Sequence, residues 1–213
     1  HHSTYLGKYF HQKNKTYNAW HYIHLPYVLG KVVPTILSSP NISTASKSQL
    51  LTLGGKQSTR LQKLLSLRLI IHFIGDLHQP LHVITRYDPS FKKGDLNGLR
   101  YKLNSRYKNL HRYWDIAGGV LIFRKNKKNQ RIKLVNSLEK KFIFKPELPE
   151  KKLEDNIDLW ISDSFNTAKK LAYKQLRNRK INKDYRRTVR QVAQLQLFKA
   201  GQNLANFLNE IYH

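Results

Sequence analysis

The sequence predicts an all-α protein, a compact multi-helix domain, and three observations carry that expectation. Apolar residues recur at helical spacing through three long stretches, 48–79, 153–176 and 185–212. No pair of alternating apolar and polar segments flanks a tight turn, so no strand pairing is expected. The chain has 213 residues and 40% apolar content, enough for one core, so residues 1–213 read as a single domain.

Taken in order, residues 3–12 read as a short helix end and 13–18 as a polar loop. Ala19-Trp20-His21-Tyr22-Ile23-His24 follows, closed by Pro26. A loop rich in Ser, Asn and Pro is expected from Pro34 to Lys47, and Asn41-Ile42-Ser43 within it fits a glycosylation acceptor. From Ser48 to Gln79 the apolar positions Leu61, Leu64, Leu65, Leu67, Leu69, Ile70 and Phe73 trace a helix. Gly54-Gly55 should divide it into a short and a long piece. Residues 83–104 are irregular, with Pro89, Gly94 and Gly98 as turn signals, and Asn109–Ala117 is a helix ended by Gly118-Gly119. The run 124–131, RKNKKNQR, reads as a solvated basic loop and 132–144 as a helix, with a break at PELP. The two last stretches are amphipathic helices, with Leu195, Leu197, Phe198, Ala200, Leu204 and Phe207 as the apolar stripe of the second.

Composition narrows the function. There is no cysteine, which excludes disulfides and thiolate metal sites. No apolar run is long enough for a membrane-spanning helix. Lys and Arg number 39 against 13 acidic residues, a net charge of +26. Such a balance attracts polyanions, nucleic acid before an anionic membrane surface. The start, His1-His2-Ser3, is neither a signal peptide nor a translation start, so a processed or partial chain is expected.

The chemistry concentrates in HFIGDLHQPLH, residues 72–82. His72 and Asp76 stand four apart and share one helix face. Pro80 ends that helix, and the turn brings His82 back to the same end. His111 and Asp115 in NLHRYWD repeat the four-residue spacing, and His21 lies upstream in an aromatic stretch. Any one such pair is commonly a cap or a surface pair. Two pairs among eight Asp, each beside large apolar residues, also suit a zinc site, and spacing alone leaves both readings open.

In their order, WHYI, HFIGDLHQPLH and NLHRYWD resemble the zinc-dependent single-strand-specific nucleases and 3′-nucleotidases. These are the mung-bean-type, or S-one/P-one, enzymes, which share a fold with zinc-dependent phospholipases C. The C-terminal QLQLFKAGQNLANFLNEI is similar to that family's closing helix, so the resemblance covers the chain from about Tyr5 to Ile211. It implies an all-α fold of the phospholipase C/nuclease type and up to three zinc ions. Asp76 would bridge a close pair of ions, one of which also takes His21 and His72. A separate ion takes His82, His111 and Asp115. Asn97, in KKGDLNGL, matches an Asn that helps place the scissile phosphate. Tyr22 matches an aromatic that stacks a base, with core packing as its other reading, and His24 stands where the family reads the base. His78 matches no ligand position, and a helix-end or supporting role is expected for it.

Two family features have no counterpart. Gly7 stands where the family has a metal-binding Asp. The N-terminal segment whose terminus, Trp and His hold the second ion of the pair is expected to be missing, with His1, His2 and His11 as weak substitutes. The resemblance implies metal-assisted hydrolysis of single-stranded DNA and RNA to 5′-phosphate products, with 3′-nucleotidase activity. The partners would be single-stranded nucleic acid and nucleotides, and the protein secreted or periplasmic. With ligands missing, low activity is expected, with zinc held mainly at His82, His111 and Asp115. The alternatives are a catalytically degenerate basic nucleic-acid-binding protein and a phospholipase C-like zinc hydrolase.

Overall fold

A computed structural model describes residues 15–35, 40–123, 127–143, 153–174 and 179–212. The structure is mostly α, as the apolar spacing predicts. The helices are α1 (Ile42–Gly54), α2 (Arg60–Leu77), α3 (Leu110–Asp115), α4 (Lys127–Lys141), α5 (Leu153–Thr167) and α6 (Lys183–Tyr212). Short 3₁₀ segments lie at Lys15–His21, Pro80–His82 and Ala117–Gly119. The helix end expected at 3–12, the PELP break, and His1, His2, Gly7 and His11 lie outside the described residues.

Four sequence expectations need correction. First, a two-stranded parallel sheet joins β1 (Leu25–Val28) to β2 (Ile84–Tyr87), in register from Leu25 opposite Ile84 to Val28 opposite Tyr87. Each strand has four residues, too few for a period of two to stand out, and the partners are 59 positions apart. Pro26 is tolerated because β1 has a free edge. Second, the loop expected to run to Lys47 stops at Asn41, which caps α1. Its side-chain oxygen accepts from the backbone of Ser43 and Thr44, and the Thr44 hydroxyl answers the Asn41 N–H. Third, most of the basic run 124–131 is helical, as α4 starts at Lys127. Fourth, α5 ends at Thr167 and passes into a wider π turn, Ala168–Ala172, short of the expected Leu176.

The split at Gly54-Gly55 is observed, and Thr59 with Gln62 forms the capping box that restarts the chain as α2. Apart from Ser66, α2 buries only its C-terminal half. Ile70, Phe73, Ile74 and Leu77 are in the core, whereas Leu61, Leu64 and Leu65, expected on the apolar face, are exposed. The run is apolar around more of the helix than one neighbour can cover. The buried half packs between α1, α5 and α6, which fixes the direction of its opposite, polar face.

Two glycines mark close approaches. Gly94 has φ +76°, and a Cβ there would lie 2.6 Å from Thr85 Cγ2. Gly118 has φ +59°, and a Cβ would lie 3.2 Å from Val189 of α6. The loop after α3 is thereby laid against α6, where Arg190 Nε donates to the Gly118 carbonyl at 3.1 Å.

Phe73 is 1% exposed and joins α2 to the core. Phe73→Ala is expected to cost about 3–5 kcal/mol, read as a lower denaturant midpoint with the slope unchanged.

Candidate metal centre

Helix α2 carries His72 and Asp76 one turn apart on the face turned from the core. The helix stops at Leu77. His78 caps it, sending Nδ1–H to the Ile74 carbonyl at 2.7 Å and accepting from Asn203 of α6 at 2.8 Å on Nε2. That is the helix-end role expected of His78. Gln79 and Pro80 then start the turn that carries His82. His21 ends the helical segment Lys15–His21, just ahead of the strand pair. Ile23 N–H donates to the His82 carbonyl at 2.8 Å, and His82 Nδ1–H donates to the His21 carbonyl at 2.8 Å. Finally α3, capped by Asn109, presents His111 and Asp115 one turn apart.

The six residues form two neighbouring triads that line a cleft of about 730 Å³. In the first, His21 Nδ1 and His72 Nε2 lie 3.0 and 3.1 Å from Asp76 Oδ2, and 3.0 Å from each other. In the second, His82 Nε2 and His111 Nε2 lie 3.4 and 3.5 Å from Asp115 Oδ1. The rings of His82 and His111 stack, 5.0 Å apart and 11° from parallel. Asp76 Oδ1 reaches across to within 3.6 Å of His82 Nδ1.

The donor set fits a divalent metal in kind and in geometry. Imidazole nitrogens and carboxylate oxygens are borderline-to-hard ligands. Bonds of about 2.0–2.1 Å to a tetrahedral ion place ligand atoms roughly 3.3 Å apart, close to the separations in the second triad. The remaining ring nitrogens are spent outward. His111 Nδ1–H donates to the Asn97 carbonyl at 2.8 Å, as His82 Nδ1–H does to His21, which leaves both Nε2 atoms facing Asp115. Such outer bonds fix the tautomer that a metal-binding histidine needs. Gln79 Nε2 donates to Asp115 Oδ1 at 2.8 Å and orients that carboxylate.

The electrostatics describe a site short of positive charge. Burial alone would raise the Asp76 carboxyl, but the charge on His82 and bonds from His21 and His72 outweigh it and hold it well below the usual carboxylate range. Asp115 is likewise lowered, against burial, chiefly by its bond to His82. Burial opposes charging of His82, yet the two carboxylates and the His21 carbonyl lift its pKa to about 9. The stacked His111 is lowered, by burial first and with the charge on His82 adding to it. One proton thus sits where the ligand set would hold a cation.

The chain matches the S1/P1 nuclease family over residues 2–213. It belongs to that family. No curated protein matches the chain. Membership makes it a member of a nuclease, hence phosphodiesterase, family, and among the described residues the two His/Asp triads are groups that could hold metal.

In this S1/P1 nuclease-family chain the other expected site residues fall on the same cleft. Tyr22 and His24 line one wall, their rings 4.8 Å apart. Burial lowers the His24 pKa, and the ring is held by Thr85 Oγ1 at 2.8 Å from Nδ1. Asn97 is 2% exposed, and its side-chain nitrogen donates inward, to the carbonyls of Leu81 at 2.8 Å and Ile23 at 3.2 Å. Two cleft residues, Gln79 and Arg112, and one fully buried support, Thr85, escaped the sequence reading. Gln79 and Thr85 act through other side chains, and neither residue type signals that on its own. Arg112, also on the cleft, lies inside the NLHRYWD motif but was not singled out. Helix α6 also lines the cleft, through Ala193, Gln196, Leu197 and Ala200.

A pH dependence follows for the metal-free protein. His82 is raised from 6.5 to about 9, so its contribution is complete below about pH 6.5 and is lost as pH rises through 9. Asp76 and Asp115 are lowered, so theirs is present above the ordinary carboxylate range and is lost in acid. Thermal unfolding of the chelator-treated protein should show Tm falling from pH 6.5 to 9, and His82→Gln should flatten that fall. An equal slope in both proteins would contradict the assignment.

Proposed function

We propose that this chain is a zinc-dependent endonuclease that hydrolyses phosphodiester bonds of single-stranded DNA and RNA to 5′-phosphate products, with 3′-nucleotidase activity. The observation that carries the reading is the pair of His/His/Asp triads, sharing one cleft with Tyr22 and His24 in an S1/P1 nuclease-family chain. His82, His111 and Asp115 would hold one zinc ion and His21, His72 and Asp76 another, with Asp76 facing both. Zinc bound there supplies Lewis acidity, bringing water toward a neutral pKa and neutralising charge that develops on phosphate.

The chain's own residues do the rest. Tyr22 offers a ring for a base to stack on, a mode that accepts an unpaired strand and favours no sequence. His24 is kept neutral by burial and braced by Thr85, so it can present a hydrogen-bonding edge beside that ring. Arg112 on the cleft wall adds a charge suited to a phosphate oxygen. Asn97 is assigned to bracing: its side chain ties Ile23 to Leu81, and its backbone carbonyl accepts the hydrogen bond from His111 Nδ1–H. The net charge of +26 favours a polyanionic substrate over a zwitterionic lipid. A role outside the cytoplasm accords with the family, and no helix among the described residues can cross a membrane.

The second triad is the tighter zinc site on this reading, because its spacings already approach those of a tetrahedral ion. Elemental analysis after dialysis should find at least one zinc per chain, and His111→Ala should remove it. Because His82 is protonated in the metal-free protein at neutral pH, uptake should release close to one proton there, read by calorimetry in buffers of different ionisation enthalpy.

Chelation should abolish cleavage of a single-stranded oligonucleotide, and added zinc should restore it. Asp115→Asn should lower the rate by roughly a hundredfold or more, since even groups that only support a ligand cost about 10–100-fold. Full turnover in chelator, or full turnover by Asp115→Asn, would overturn the proposal. Tight, salt-sensitive binding of single strands by the zinc-loaded protein without any cleavage would favour the degenerate binding protein instead.

A further inference from the structure

Helix α4 carries six basic residues and one acidic residue, Glu139. Lys133, Asn136, Ser137, Lys140 and Lys141 fall at intervals of three and four, so they share one face. All five are exposed, and they line a shallow groove. The face is anchored beside the cleft. Lys141 Nζ donates to Gln194 Oε1 of α6 at 2.8 Å, and Phe142 packs on Phe198 of α6 with ring centroids 5.2 Å apart. Ala193, Leu197 and Ala200 of α6 form a wall of the cleft. Gln194 and Phe198 lie one residue further along, a rotation of about 100° around the same helix. One stripe of α6 thus faces the cleft while the adjoining stripe holds the basic face of α4.

We propose that this face of α4 is a second binding site, for the phosphate backbone of a single-stranded nucleic acid whose reacting end occupies the cleft. The inference rests on the single-strand reading given above. The chemistry that selects this occupant is on the surface itself. Three ammonium groups without an acidic side chain on that face suit successive phosphates, and a Phe142–Phe198 ring pair adjoins them, with Lys141 Nζ 5.3 Å from the Phe142 ring centroid. Basic grooves edged by aromatic rings bind single strands without sequence preference. The arrangement extends the contact beyond the reacting nucleotide, so it should matter for long strands and not for short ones.

The test compares the zinc-loaded protein with the triple variant Lys133→Gln, Lys140→Gln, Lys141→Gln. Binding of a fluorescent phosphorothioate 20-mer of thymidine is followed by anisotropy over a range of salt. Cleavage is followed on the ordinary 20-mer and on a thymidine dinucleotide. The expected result is unchanged cleavage of the dinucleotide, kcat/KM on the 20-mer lowered several-fold through KM, and a salt dependence shallower by about 2 in log–log slope, at about 0.7 per phosphate contact. Equal 20-mer binding and equal slopes in the two proteins would overturn the proposal while leaving the nuclease reading intact. Failure of the unsubstituted protein to cleave any oligonucleotide would instead remove the nuclease reading, and the binding comparison would still decide the role of α4. Loss of binding to phosphatidylserine vesicles with 20-mer binding retained would overturn it in favour of a lipid surface.

Discussion

Everything at the site depends on two backbone segments being held side by side, the strand after His21 and the turn that ends in His82. Ile23 N–H bonds to the His82 carbonyl, and His82 Nδ1–H bonds back to the His21 carbonyl. Asn97 stitches the same two segments from below, through Ile23 and Leu81. The parallel ladder of β1 and β2 continues that contact for four residues and makes it directional. A small sheet in a mostly α structure therefore does what no helix could. It lays a ligand from early in the chain against the end of α2.

Once that register is set, the helices need only local rules. His72 and Asp76 share a face because they are four apart, and so do His111 and Asp115. Burying Ile70, Phe73, Ile74 and Leu77 turns the polar face of α2 into the cleft. Capping Asn109 starts α3 at the right residue for His111 to meet His82 ring on ring. The two partly buried carboxylates are stabilised by imidazoles, one of which carries a proton that a cation would replace. The polar cluster is stable to burial only with positive charge inside it, which links the protein's stability to what it binds.

The surface follows a different logic. The charge of +26 is spread over long flexible side chains, so its sign is plain in composition but its placement is not. The basic run before residue 132 read as a loop because consecutive lysines and arginines show no apolar period. Those residues continue into the first turns of α4, which buries Leu138 and leaves most of its other sides to water. Lys141, at the far end of the same helix, bonds to Gln194 of α6 and so sets α4 against that helix.

The sequence by itself determined what local spacing can encode. It specified the helical class, the split at Gly54-Gly55, the shared faces of His72 with Asp76 and of His111 with Asp115, and the large excess of positive charge. Each rests on residues within one or two turns of each other, or on summed charge. Tertiary structure decided what depends on distant segments. It paired β1 with β2, turned Asn97 inward, recruited Gln79 and Thr85 as supports, left Leu61 and Leu64 exposed, and set α4 beside the cleft. The reason is physical: a hydrogen bond between segments some sixty residues apart leaves no periodic mark in either, and a side chain that acts through another carries no signature in its own type.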